Sequence, residues 1–260
     1  MNDILQELSE ARRKDAEARA KTLSVAELER RVAALPATRG FAASLKGPGI
    51  NVIAELKKAS PSEGLIRGDF AAVPLAKELV AHGAAALSVL CEPHRFLGDE
   101  AYLAEVRRAV SVPLLYKDFI TTPYQVLAAR AAGADAVLLI AAVLDDAELD
   151  GLRKYAASLG LDALVETHTR EEIVRAVNLG CDLIGINCRD LRTFRTDPAI
   201  TGDLIGLIPE DRIAVAESGL KTAADLAHLK SAGAAAFLVG TTLMRAERPG
   251  AKLRELISNH

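Results

Sequence analysis

Short runs rich in Val, Ile and Leu recur along the chain, at Asn51–Glu55, Ala85–Leu90, Val112–Lys117, Asp135–Ile140, Asp162–Glu166, Asp182–Asn187, Arg212–Glu217 and Ala236–Gly240. Their apolar positions are nearly continuous instead of alternating, as expected for parallel strands buried on both faces. Between the runs the period changes. AAVPLAKELVAHG, YQVLAARAAG, REEIVRAVNLG and AADLAHLKSAG carry apolar residues three and four apart, the spacing of one helix face. Capping candidates stand where such helices would begin: Thr121 or Thr122 with Pro123 just inside, and Thr169 before Arg170-Glu171-Glu172. Helical stretches run out at Gly83, Gly133, Gly160, Gly180 and Gly233, with an apolar run close behind each. Glycine suits the position after a helix, where φ is often positive. Eight strands alternating with helices give a closed (βα)8 barrel or a doubly wound open sheet, and the count of eight favours the barrel. No G-x-G-x-x-G follows the first run, which weakens the dinucleotide-binding alternative.

Residues 1–47 stand apart. Leu5, Leu8 and later Ala and Leu positions are set among dense charge, which predicts one or two amphipathic helices ahead of the first strand. Such a segment either packs on the barrel body or lies as a lid over one mouth. Gly47-Pro48-Gly49 marks its boundary, so the chain divides into a helical extension over 1–47 and a barrel over 48–260. Composition narrows the class. Half of the 260 residues are hydrophobic, 26% are charged and the formal net charge is −3. That balance is globular and argues against a nucleic-acid binder resting on bulk positive charge. The longest apolar runs, such as Ala136–Leu144, fall well short of the ~20 residues of a helical membrane span. The N-terminus is too charged for a secretory signal. Cys91, Cys181 and Cys188 fit neither a disulfide framework nor a zinc site, so no metal is expected and a cytoplasmic location is.

In a parallel barrel the active-site residues come from the C-terminal strand ends and the loops beyond them. Here those ends are unusually polar: Glu55, Lys57 and Ser60 after the first strand, Lys117 after the third, Glu166 after the fifth, Asn187 and Arg189 after the sixth, Glu217 after the seventh. Any one of them has an ordinary explanation as an ion-paired or snorkelling side chain. Charged groups at equivalent ends of several strands are harder to explain by stability, because desolvating them is a cost that apolar residues avoid. Lys117, in the apolar context LLYKDF, is the strongest single case. Two small-residue loops, Ser218-Gly219 and Gly240-Thr241-Thr242, follow the last two strands, where barrels of this kind often bind phosphate through backbone N–H groups. Phe96, Phe119, Leu138 and Leu191 are candidates for an apolar wall. The five histidines show no ligand spacing, and solvation or local hydrogen bonding is expected of each, with His168 near the mouth.

The segments ELKKASPSEG (Glu55–Gly64), YKDFI (Tyr116–Ile120), GADAVLLI (Gly133–Ile140), LVETH (Leu164–His168), IGINCRDLRTF (Ile184–Phe194), AESGL (Ala216–Leu220) and FLVGTTLM (Phe237–Met244) together resemble the indole-3-glycerol phosphate synthase family. The resemblance runs from about Asn51 to Met244 in order, and the combination E-x-K-x-x-S-P-S, K-D-F and I-N-x-R-D-L is highly specific. It implies a (βα)8 barrel with an N-terminal helical extension and no organic cofactor. It also implies the conversion of 1-(2-carboxyphenylamino)-1-deoxyribulose 5-phosphate to indole-3-glycerol phosphate, CO2 and water, in tryptophan biosynthesis. By the same resemblance Lys117 is the first choice for the general acid, given neighbouring cations or desolvation that lower its pKa. Lys57 holds the substrate carboxylate and is a candidate for the acid of the later step, the order of the two lysines staying open. Glu166 is the base of dehydration, Glu55 orients a lysine or a sugar hydroxyl, and Asn187 positions Glu166 or the substrate. Glu217 lies beside the sugar; Ser60 and Arg189 line the site. Ser218, Gly219, Gly240 and Thr241 match the phosphate loops, and Phe96, Phe119, Leu138 and Leu191 enclose the anthranilate ring. Departures from the family pattern are small: Cys188, Tyr116, Cys91 and Thr241 stand where other residues are more frequent.

Three other readings compete. A lysine-dependent aldolase would use Lys117 or Lys57 as a Schiff base. A phosphate-ligand binder would keep the pocket and lose turnover. A phosphoribosylanthranilate isomerase would want a Cys/Asp pair, where the first strand here ends in Glu-x-Lys. The expected partner is a small phosphorylated substrate, without nucleic acid or membrane. A monomer is favoured slightly over an oligomer, and association with other tryptophan-pathway enzymes stays open.

Overall fold

The computed structural model describes residues 3–187 and 198–258. Among these, the chain opens with three helices, α1 (Asp3–Ala20), α2 (Val25–Ala33) and α3 (Phe41–Ser44). Strand β1 (Asn51–Leu56) is followed by two short strands, β2 (Ala59–Ser60) and β3 (Gly64–Leu65), and by α4 (Ala72–Ala81). Strand–helix units then repeat: β4 (Ala86–Leu90) and α5 (Glu100–Ala109), β5 (Leu114–Lys117) and α6 (Pro123–Ala131), β6 (Ala136–Ile140) and α7 (Asp146–Ser158), β7 (Asp162–Thr167) and α8 (Arg170–Asn178), β8 (Leu183–Asn187) and α9 (Pro198–Ile205), β9 (Ile213–Glu217) and α10 (Ala223–Ser231). Strand β10 (Ala236–Val239) leads to α11 (Thr241–Arg245) and α12 (Pro249–Ile257).

The long strands pair in parallel in the order β1-β10-β9-β8-β7-β6-β5-β4, and β1 also pairs with β4, so the sheet is a closed (βα)8 barrel. Each expected strand is present. The third barrel strand begins at Leu114, two residues later than Val112, because Pro113 has no N–H to give to the ladder. Helices start where the caps predict: Thr122 closes a capping box with Gln125 behind Pro123, and Thr169 accepts from the Glu172 N–H. Gly83, Gly133, Gly160, Gly180 and Gly233 all have positive φ after their helices.

Two apolar layers result. One lies between strands and helices; the other fills the barrel interior. Inside the barrel, Ile53, Leu115, Leu164 and Val215 are fully buried and come from β1, β5, β7 and β9, the alternate-strand pattern of a barrel layer. Phe41 and Leu45 join this interior cluster from below. Polar groups at the N-terminal strand ends fix that lower closure. Asn51 Nδ2 donates to the carbonyls of Leu45, Gly47 and Ala235, Asp162 accepts from the Ala42 N–H, and Asp135 accepts from the Arg39 and Leu114 N–H groups.

The segment before β1 holds three helices, one more than expected, since α3 is a single turn too short to show a periodicity. Its placement combines both alternatives. Helix α2 packs its Leu28 against Leu127 and Ala128 of α6, on the barrel flank. Helix α1 crosses the C-terminal mouth, where Leu5 and Leu8 join the interior cluster. Arg12 anchors it there by a two-pronged contact with buried Asp118 at 2.7–3.1 Å. Among the described residues no helix is long and apolar enough to cross a membrane.

Candidate active site

Two residues beyond the apolar layer, the same four strands supply Glu55, Lys117, Glu166 and Glu217. Side chains on a strand return to the same face every second residue, so this is the next inward-facing position, now charged. The interior therefore switches from hydrocarbon to ion pairs in one step. Lys117 Nζ lies 2.8 Å from Glu166 Oε2 and 3.0 Å from Glu217 Oε2. Lys57 Nζ lies 2.8 Å from Glu55 Oε1. Asn187 Nδ2 donates to Glu166 Oε1 at 3.2 Å, and Asn187 Oδ1 accepts from Ser218 Oγ at 2.7 Å. Close approach needs two glycines without side chains: a Cβ at Gly185 would overlap Glu217 Oε1, and one at Gly240 would overlap Glu55 Oε1.

The electrostatics follow from this packing. Burial pushes the Lys117 pKa down, but Glu166, Glu217 and Glu55 outweigh it and hold Lys117 well above its ordinary value. The lowering expected from the sequence is thus reversed, because carboxylates and not cations surround the amine. Burial pushes Glu166 up, yet Lys117 and His168 bring it below the usual carboxylate range. Glu217 goes the other way: burial, and repulsion from Glu166 and Glu55, lift it to about 7 against the pull of Lys117. Its Oε1 is buried and has no hydrogen-bond partner among the described residues.

These groups line one cavity of about 430 Å³. Phe96, Phe119 and Leu138 form an apolar side with Leu5 and Leu8 of α1, the two rings tilted with centroids 6.3 Å apart. They belong to the β4–β6 side of the ring. On the opposite side, beyond β9 and β10, are Ser218, Gly219, Gly240 and Thr241. Thr242 Oγ1 donates to the Leu220 carbonyl, tying those two loops together. Ser218 has φ of 61°, a conformation that costs a non-glycine residue about 1–2 kcal/mol and that its bond to Asn187 helps to hold. Ser60 lines the cavity from β2. Arg189 and Leu191 lie outside the described residues.

The structure also brings in residues to which the sequence reading gave no role. Lys221 and Arg245 line the side with the small-residue loops, Arg245 paired with Glu63. His168 is buried at the cavity wall, its Nε2 3.3 Å from Glu166 Oε1 and its Nδ1 3.5 Å from Glu172 Oε2. Its signal was available: residues 166 and 168 share a strand face, and Glu172 is one helical turn further on.

Fold and cavity together define an enzyme of the (βα)8 class with its acid–base groups at the C-terminal mouth, where such barrels hold their chemistry. Comparison with known proteins makes this specific. A family model described as indole-3-glycerol phosphate synthase matches residues 5–256. Indole-3-glycerol phosphate synthases of two strains of Acidithiobacillus ferrooxidans are each 48% identical over 260 aligned residues, covering 98% of this chain and 99% of theirs. A solved thiamine phosphate pyrophosphorylase from Pyrococcus furiosus shares only the fold, with a TM-score of 0.60 at 16% identity over 82% of this chain and 95% of its own. The chain belongs to the indole-3-glycerol phosphate synthase family. Its activity is that of a carboxy-lyase of tryptophan biosynthesis, forming indole-3-glycerol phosphate from 1-(2-carboxyphenylamino)-1-deoxyribulose 5-phosphate with loss of CO2 and water.

Proposed function

We propose that the cavity performs this reaction with Lys117 as the acid of ring closure and Glu166 as the base of dehydration. The supporting observation is Lys117 Nζ set between Glu166 and Glu217 at 2.8 and 3.0 Å, which keeps a proton on the amine beside its paired base. Ring closure joins the aromatic carbon bearing the carboxylate to the ketone carbon, and the ketone oxygen becomes an alkoxide. An alkoxide is a far stronger base than an amine, so even a firmly protonated Lys117 donates to it. Lys57, oriented by Glu55, holds the substrate carboxylate until it leaves as CO2. The hydroxyl then leaves as water on a proton given by Lys57, freed of the carboxylate, while Glu166 takes the proton released on the other side of the new double bond. Asn187 keeps Glu166 aimed, and Glu217 Oε1 accepts from a ribulose hydroxyl.

The same reading seats the anthranilate ring against Phe96, Phe119 and Leu138, with Leu191 completing the wall. The phosphate sits against the backbone N–H groups of Ser218-Gly219 and Gly240-Thr241, with Ser60 and Arg189 beside the substrate. Residues 1–47 serve as an extension of the barrel over 48–260. The chain acts as a cytoplasmic monomer, without nucleic acid, metal or organic cofactor. A Schiff-base aldolase needs Lys117 uncharged, and the carboxylates around it oppose that.

Indole fluorescence on mixing with substrate in EDTA tests the assignment. Lys117→Ala is expected to abolish turnover while leaving the fold intact. Glu166→Gln is expected to lower kcat by about 10²–10⁴-fold, the usual worth of a general base, with KM little moved. Near-normal kcat in either variant would remove that residue from its role. A borohydride-trapped adduct at Lys117 would favour the aldolase.

A further inference from the structure

Glu166 needs to be an anion when it acts as a base, buried beside a lysine. A buried carboxylate–ammonium pair can relieve its desolvation by passing the proton across and becoming neutral. Something must bias the proton toward Lys117. Asn187 is neutral, and Glu217 and Glu55 act on Lys117 itself. Those two carboxylates bias the proton from the lysine side; from the carboxylate side, the second cation against Glu166 is the ring of His168.

We propose that His168 is a positioning residue for the reaction, holding Glu166 as an aimed, ionised base, with Glu172 as its own counter-carboxylate. The inference rests on the reading of Glu166 as that base. Its geometry is a file of alternating charge. Lys117 meets Glu166 through Oε2; His168 Nε2 sits 3.3 Å from the other oxygen, Oε1; His168 Nδ1 sits 3.5 Å from Glu172 Oε2. Lys117 and Asn187 each hydrogen-bond one Glu166 oxygen, and His168 adds an ion-pair contact, without a hydrogen bond, to the oxygen that Asn187 holds.

The local fold explains the arrangement. His168 follows β7 at the phase that faces the cavity, and Thr169 caps α8 by accepting from the Glu172 N–H. Glu172 is thereby held at the start of α8, where its carboxylate accepts the His168 backbone N–H at 2.7 Å. Ring and carboxylate are locked by one helix start. The His168 side chain is only 6% exposed, so packing alone would favour an apolar residue there. Among the described residues, Glu166 from β7 and Glu172 from α8 face its ring, and Lys117, Asp118, Glu217, Glu55, Lys57, Glu63, Lys221 and Arg245 share the cavity it lines. Burial pushes the His168 pKa down, but Glu166 and Glu172 raise it to about 10, so the ring is a cation at neutral pH.

Three variants and one spectroscopic readout decide the matter. His168→Gln is expected to fold, to lower kcat about tenfold with KM little changed, and to move the acid limb of the kcat profile up by about one pH unit, as Glu166 loses a cation. Glu172→Gln should move the same limb in the same direction by less. Imidazole ¹⁵N chemical shifts in the unsubstituted protein should report His168 protonated through pH 8, and Glu166→Gln should lower that titration. These two measurements stand even if His168→Gln fails to fold. A kcat within about twofold and an unmoved acid limb, or a neutral ring at pH 7, would overturn the role of His168. Full turnover by Glu166→Gln would instead sink the base assignment, and His168's role with it.

Discussion

Gly185 sets how closely Glu217 approaches the barrel axis. A Cβ there would overlap Glu217 Oε1 and press within 3.2 Å of its Cδ and 3.3 Å of Leu164 Cδ1. Those neighbours are a carboxylate clamped on Lys117 and a fully buried leucine, so neither yields cheaply. Gly185→Ala is expected to fold with a loss of roughly 1–3 kcal/mol, the usual range for overpacking. It should lower kcat by more than it raises KM, because the displaced carboxylate releases one side of Lys117. Denaturant titration and steady-state kinetics on the same preparation check this, and a loss of stability at unchanged kcat would show that Glu217 need not touch Lys117. The sequence does not reveal this glycine's task. In DLIGIN it reads as one more small residue in an apolar run, and only the register that sets Gly185 opposite Val215 and beside Glu166 brings Glu217 against it.

Elements differ in how far the chain announces them. The barrel strands were legible because strands buried on both faces must be apolar throughout. Their polar C-terminal ends were legible because the barrel rule gives those positions one destination, and Glu55, Lys57, Lys117, Glu166 and Asn187 do share one cavity. The pair β2 and β3 escaped notice: two residues each, held by backbone pairing, leave no side-chain period. Helix α1 was legible as a helix, with a cover over one mouth as one of two open placements. Its stripe of Leu5 and Leu8 says that something is buried there, but its anchor, Asp118, lies 106 residues away. That anchor carries a prediction at this scale. Arg12 is 14% exposed and Asp118 1%, so removing the guanidinium strands a buried carboxylate, at a cost of about 3–5 kcal/mol. Arg12→Met should show this loss in urea unfolding, and adding Asp118→Asn should restore part of it, since the two residues form one unit. The single variant should also weaken substrate binding, as Leu5 and Leu8 lose their fixed place in the cavity wall. Additive losses in the double variant would mean that the pair is not what holds α1.

Across the whole molecule, the two ends of the barrel divide the work. At the N-terminal end polar side chains are consumed by backbone groups: Asn51, Asp135 and Asp162 satisfy the α3 segment and the strand starts. At the C-terminal end they face one another around a cavity, and the described cluster sets three cations (Lys57, Lys117, His168) against four carboxylates (Glu55, Glu166, Glu172, Glu217). The formal charges balance only when one carboxylate is protonated, and Glu217, lifted to about 7, is the one that gives way. This imbalance makes stability depend on pH. Glu217 is held above its ordinary value of 4.5, so the stability it contributes is fully present below pH 4.5 and is lost as the pH rises through about 7. His168, raised from 6.5 to about 10, acts with the same sign at higher pH: its contribution is complete below 6.5 and gone above about 10. Glu166, held low, acts oppositely, contributing above its ordinary 4.5 and losing that as the pH falls further. Between pH 5 and 8 the Glu217 contribution therefore changes most. Glu217→Gln mimics the protonated carboxyl and cannot ionise. Its melting temperature should lie close to that of the unsubstituted protein at pH 5 and exceed it at pH 8 by a few degrees, since about 1 kcal/mol moves a domain of this size by roughly 2–4 °C. Calorimetry at the two pH values measures the gap, and a gap that stays constant would mean that Glu217 is ionised throughout and that the excess charge is neutralised elsewhere.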